Sequence, residues 1–270
     1  MIKTNKLSCP KELTFEKQKE LTNKYLNEKG SVWKQHYIEN ALLSSSHSKC
    51  IYCECKINVE SKYMEVEHFH DKSHYPLEVV NWENLLPSCK RCNGNKSTFN
   101  TKLNPFINPS EMVPRDHLVL YEGRFYPITE AGENTINEIL LNDRGKLVQQ
   151  RLDIVNAVLD SLNNIYQNVE RYHNNKQRTT QNKNTFMSAL ENLLEDAMPS
   201  ASYSATVATA IINNPLFIYI VDILNLEDLW NEELQEKFNV ISELAIDTNL
   251  KKTLAYRNRT AKFARLLTSR

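Results

Sequence analysis

Two cysteine pairs with the same internal spacing, Cys50-Ile-Tyr-Cys53 and Cys89-Lys-Arg-Cys92, bracket the stretch of this sequence richest in reactive side chains. Each pair can form a knuckle, and together they offer four thiolates at about 2.3 Å from one tetrahedral zinc ion. The 35 residues between the pairs exceed the roughly 15–20 of common zinc ribbons, so the spacer must carry structure of its own. Within it Glu67 stands beside His68, Asn84 follows, and Asn93 and Lys96 come just after the second pair. The cysteines read as a structural clamp, and the Glu-His and Asn set as a catalytic metal site. Cys55 is close enough to act as an alternate ligand, though a non-ligand role is its simpler reading. Cys9 stands alone as a free thiol.

These residues need elements to hold them. Met64, Val66 and His68 alternate with Glu65 and Glu67, the period-2 pattern of a strand with two unlike faces. Asn93 falls at the start of a short helix expected after Cys92. A fragment of this size buries too little apolar surface to be stable alone. Zinc ligation, worth about 10–16 kcal/mol in small domains, would tie its ends together.

Upstream, residues 11–45 read as two helices broken near Gly30, with lysines on their outer faces; these are either a solvated surface or a contact for backbone phosphates. Downstream, residues 118–121 and 124–128 read as a hairpin turning at Glu122-Gly123, followed by a short helix over 134–141. From Gly145 the pattern is helical, with a polar linker over 174–184 and helices over 184–197, 202–213, 216–229 and 232–248. The fold class is therefore α+β and mainly α. Three segments are expected: a helical 1–48, a metal module over 49–145 and a helical domain over 146–270.

With 33 basic and 33 acidic residues, the total charge gives no argument for nucleic-acid binding. The distribution does differ along the chain. Residues 187–250 hold 11 acidic residues against the single Lys237, and residues 251–270 hold 7 basic and no acidic ones. The start of the chain lacks a signal-like apolar core, and no run of about 18 apolar residues occurs, so a cytoplasmic protein without membrane contact is expected. In a reducing compartment, paired cysteines are metal ligands more often than disulfides.

The arrangement resembles the HNH endonucleases, whose ββα-metal motif carries an acidic-His pair, a middle Asn, and a final His or Asn followed by Lys. Here these are Glu67-His68, Asn84 and Asn93-Gly-Asn-Lys96, and zinc-knuckle members add the two cysteine pairs. A longer match is similar to the PtuB subgroup, the HNH nucleases of Septu and related retron-associated anti-phage systems. It comprises Cys50-Ile-Tyr-Cys-Glu54, Glu67-His-Phe-x-x-Lys-Ser73, Trp82-x-Asn-Leu-Leu86, Ser88-Cys-x-x-Cys-Asn93, Lys96 and Leu103-Asn-Pro-Phe106. Asp71 departs from the pattern, which has proline before Lys-Ser. The likeness covers roughly residues 11–155.

The resemblance implies a zinc-clamped ββα core embedded in a helical protein, hydrolysing phosphodiester bonds, with DNA as the first substrate class. It makes Glu67 and Asn93 ligands of a catalytic Mg2+ or Mn2+, His68 the general base, and Asn84 the residue that fixes the loop and hence the His68 ring. Lys96, Lys72 and His70 become contacts to nucleic acid. It also implies a PtuA-like ATPase of the ABC/SMC type as partner. No Gly-x-x-x-x-Gly-Lys-Ser/Thr motif occurs here, so an ATPase would be a separate chain. Two rivals stay open: the same chemistry on RNA, including tRNA, and a zinc-dependent adaptor that binds nucleic acid without cutting it.

Overall fold

The computed structural model describes residues 1–57, 59 and 63–268. Two helices open the chain, α1 (Phe15–Glu28) and α2 (His36–Ser45). Strands β1 (Met64–His68) and β2 (Leu85–Cys89) then pair antiparallel, with Glu67 opposite Leu86 and His68 opposite Leu85, and helix α3 (Lys90–Lys96) follows at once. This is the expected ββα unit. Helix α3 starts at Lys90, not after Cys92, because the Cys89 thiol caps it by accepting from the Cys92 N–H at 3.5 Å. Asn93 therefore lies inside the helix, one turn ahead of Lys96.

A second hairpin joins β3 (Leu118–Tyr121) to β4 (Arg124–Pro127). Its two-residue turn needs left-handed backbone at both Glu122 (φ 48°) and Gly123 (φ 70°), which matches the strand twist. Helix α4 (Glu130–Glu138) begins a turn earlier than expected because Thr129 caps it, accepting from Gly132 N–H at 3.1 Å. A π-helical turn over Arg144–Val148 leads into α5 (Gln149–His173). Then come α6 (Thr180–Glu195), α7 (Ser204–Ile212), α8 (Pro215–Leu226), α9 (Glu232–Leu244) and α10 (Lys251–Thr268). The α5–α6 link is shorter than the polar stretch suggested, since Thr179 caps α6. Ser269 and Arg270, at the end of the basic segment, lie outside the described residues. No single described helix is long and apolar enough to cross a membrane.

Three apolar cores organise the chain. Leu21, Tyr25, Ile38 and Leu42 of α1 and α2 pack on Val66 and Leu85, covering one face of the β1–β2 sheet. Leu86 faces the other way, into a core shared by the cysteine knuckles, Phe106, the second hairpin and α4. A third core lies among α5–α9. Buried Arg151 of α5 joins the second hairpin to α4's end, donating to Gly123 O at 2.7 Å and Leu141 O at 2.5 Å.

The cysteine knuckle is tied to α7 by a buried polar group. Glu54 accepts from Ser204 Oγ at 2.8 Å and Ala205 N–H at 3.3 Å, and it pairs with Lys49 and the Met1 ammonium group. Burial works against its charge, but those two cations outweigh it and hold the carboxyl at about 2. Removing one member of such a group strands the others without partners, so Glu54→Ala should cost about 3–5 kcal/mol in chemical denaturation. A loss below about 1 kcal/mol would rule out this tie as structural.

Candidate metal and nuclease site

The four ligand atoms of Cys50, Cys53, Cys89 and Cys92 all lie within 4.8 Å of one another. Four sulfurs at 2.3 Å from one zinc must stand about 3.8 Å apart, and Cys53 Sγ and Cys89 Sγ do so at 3.8 Å. None of the six cysteines is in a disulfide. The donor set fits a closed, structural zinc site. Cys55 Sγ lies 3.5 Å from Cys53 Sγ, outside the four-ligand group.

Strand alternation sends the neighbours Glu67 and His68 to opposite faces of β1. His68 points toward the N-terminal helices, where its ring meets the Trp33 ring edge-on at 4.7 Å. Its Nε2 lies 2.9 Å from the Val79 carbonyl. A carbonyl only accepts, so Nε2 must carry the proton and Nδ1 is the unprotonated nitrogen. Burial, with the charge of Lys72 adding to it, pushes the imidazole pKa down to about 4, so the ring is neutral at ordinary pH.

Glu67 points toward α3. It is only 2% exposed, and its Oε1 lies 2.7 Å from Lys96 Nζ without the alignment of a hydrogen bond. Burial dominates and pushes its carboxyl up to about 7 despite the pull of Lys96 and Lys72. Lys96 is itself buried and donates to the His68 carbonyl at 2.9 Å. Its ammonium is thus engaged inside the protein, not displayed to a phosphate as the sequence suggested. Asn93, one turn earlier, donates from Nδ2 to Glu65 Oε2 at 3.1 Å, so α3 packs on the β1 face that bears both glutamates.

Asn84 is buried and holds the β1–β2 loop. Its Oδ1 accepts from His70 N–H at 2.6 Å, while Nδ2 donates to His70 O at 3.0 Å and Glu78 O at 3.2 Å. The carbonyl after Glu78 is the Val79 group that receives His68, so the chain from Asn84 to the imidazole is continuous. Asn84→Ala would leave the His70 N–H and carbonyl unpaired, costing about 1–3 kcal/mol in stability, and should slow catalysis while the zinc content stays unchanged. Zinc lost together with activity would instead make it a core residue of the clamp.

Asp71, at the position where proline was expected, ties down its own turn with its side chain. Its Oδ2 accepts from Ser73 N–H, His74 N–H and His74 Nδ1, and these bonds outweigh burial and hold the carboxyl low. Lys72 lies over the Trp33 ring at 5.0 Å, and its charge is felt by both Glu67 and His68. His70 is partly exposed, with Nδ1 2.8 Å from Thr101 Oγ1. The sequence assigns Trp33 no role in this site, and it leaves Glu65 between a contact to phosphate or a second ion and a solvent-facing carboxylate. A tryptophan in an N-terminal loop carries no signal of contact with His68, whereas Glu65 was visible as the same-face neighbour of Glu67.

The donors suit a hard divalent ion. Glu67 is a buried carboxylate whose Oε1 is paired with Lys96 Nζ at 2.7 Å, and no protein donor reaches Asn93 Oδ1 among the described residues. Residues 50–99 match the family model described as HNH endonuclease. A Septu protein PtuB of Bacillus thuringiensis is 39% identical over 236 residues, spanning 87% of this chain and 91% of that protein. A Septu protein PtuB of Bacillus mycoides (strain KBAB4) is 30% identical over 156 residues, 46% of this chain and 52% of that protein. With a ββα unit between paired knuckles and likeness along nearly its whole length, the chain belongs to the PtuB family and carries an HNH endonuclease domain.

Proposed function

We propose that this protein is a metal-dependent endonuclease that hydrolyses phosphodiester bonds, DNA first among its substrates, and that it serves anti-phage defence with a separate ATPase. The observation that carries the chemistry is the tautomer of His68: a proton fixed on Nε2 by the Val79 carbonyl leaves Nδ1 as a general base. Glu67 and Asn93, on facing elements, would hold Mg2+ or Mn2+. That ion supplies charge stabilisation at the phosphate oxygens when bound. Lys96 holds Glu67 and the His68 backbone in place from behind, and Lys72 at the mouth of the loop meets a phosphate. The adjacent Glu67 and His68 straddle β1, so the scissile group is received across the end of that strand.

The ATPase partnership is supported by the names of the Septu relatives and by the exposed charge of the carboxy-terminal helices. Glu232, Glu233 and Glu236 at the start of α9 are exposed, an acidic helix end suited to a basic partner face. The test is cleavage of supercoiled DNA and of structured RNA, with Mg2+ or Mn2+, by the chain alone and after co-purification with a neighbouring ATPase. Metal-dependent DNA nicking supports the reading, and cleavage of RNA alone would move it to the second substrate class. Binding without cleavage of either, with the partner present, would leave the zinc-dependent adaptor.

A further inference from the structure

We propose that Glu65 is a positioning residue of the catalytic metal site, holding the Asn93 amide so that its oxygen and not its nitrogen is offered to the ion. The inference rests on the nuclease reading above. The two ends of a carboxamide are nearly the same size and opposite in chemistry: one is a hard oxygen donor, the other an NH2 that cannot ligate. An asparagine at a metal site therefore needs a neighbour that tells its ends apart. A carboxylate does this without ambiguity, because when ionised it only accepts.

Glu65 is placed for that task by the period of the strand. It lies two residues before Glu67 on the same face of β1, the face on which α3 packs. Its Oε2 accepts from Asn93 Nδ2 at 3.1 Å, and this is the single side-chain hydrogen bond to Asn93 among the described residues. The same face thus divides into two levels. Lys96 is set against Glu67, and Asn93 against Glu65.

The experiment measures Mn2+ affinity of the zinc-loaded full chain by the electron-spin signal of free Mn2+, alongside the Mn2+ dependence of DNA cleavage. Glu65→Ala should weaken Mn2+ binding about 10–100-fold, as loss of a group that orients a ligand does. Glu65→Gln should lose clearly less affinity than Glu65→Ala, because its carbonyl can still accept from Asn93 Nδ2 although its own NH2 also permits the flipped amide, and saturating Mn2+ should restore most of the kcat lost in Glu65→Ala. Unchanged affinity in Glu65→Ala would overturn the proposal. So would equal losses in the two variants, which would make Glu65 a ligand or a bare charge. Asn93→Ala separates the proposal from its foundation: wild-type affinity there would mean that the metal site itself is misassigned. Zinc content at the wild-type level shows that each variant is folded around its clamp.

Discussion

Replacing His68 by alanine should lower the single-turnover rate of cleavage by about 10²–10⁴, the usual contribution of a positioned general base. The size follows from the state of the ring. Its Nε2 proton is committed to Val79 O, and burial keeps the imidazole neutral, so the free nitrogen is ready to accept a proton without first losing one. Alanine removes this acceptor and also empties the space against Trp33, which costs stability. His68→Gln serves as the second variant, since its amide can still donate to the Val79 carbonyl while lacking a basic nitrogen. Both variants should keep wild-type zinc content and Mn2+ affinity, because neither the cysteines nor Glu67 and Asn93 are altered. Cleavage at the wild-type rate by either folded variant would remove His68 from the chemistry.

The parts of this site that were legible in the sequence are those set by short-range spacing. Two Cys-x-x-Cys pairs can close on one ion whatever the rest of the chain does, and the alternation of Met64 to His68 fixes which side chains share a face. The ββα unit and both hairpin strands follow from such local rules. Contacts that join distant segments were not legible. Trp33 against His68, Glu54 among Lys49, Ser204 and the first residue, and Arg151 under the second hairpin each need the tertiary fold to bring separate stretches together. Lys96 shows the same limit from the other side. The spacing placed it correctly on α3, but only the packing of α3 on β1 decides that its ammonium turns inward to Glu67.

Removing the zinc clamp should act differently from removing the base, and Cys89→Ser is the variant that shows it most sharply. Cys89 is at once a metal ligand, the last residue of β2 opposite Met64, and the cap of the helix that carries Asn93 and Lys96. Structural zinc in small domains contributes about 10–16 kcal/mol, comparable with or greater than the roughly 5–15 kcal/mol by which whole domains are stable. Loss of one thiolate should therefore unfold the strand–helix unit. Zinc stoichiometry should fall from one to near zero, Mn2+ binding and cleavage should disappear together, and the lower-temperature part of the melting curve should be lost. Most of the helical circular dichroism should persist, because α5–α9 pack around a core that contains none of the cysteines. Cys55→Ser should keep one zinc per chain and wild-type cleavage, since its sulfur lies beside the cluster and not within it. If Cys89→Ser instead kept its zinc and its melting behaviour, Cys55 would have taken its place, and the clamp would have to be redrawn around five sulfurs with one held in reserve.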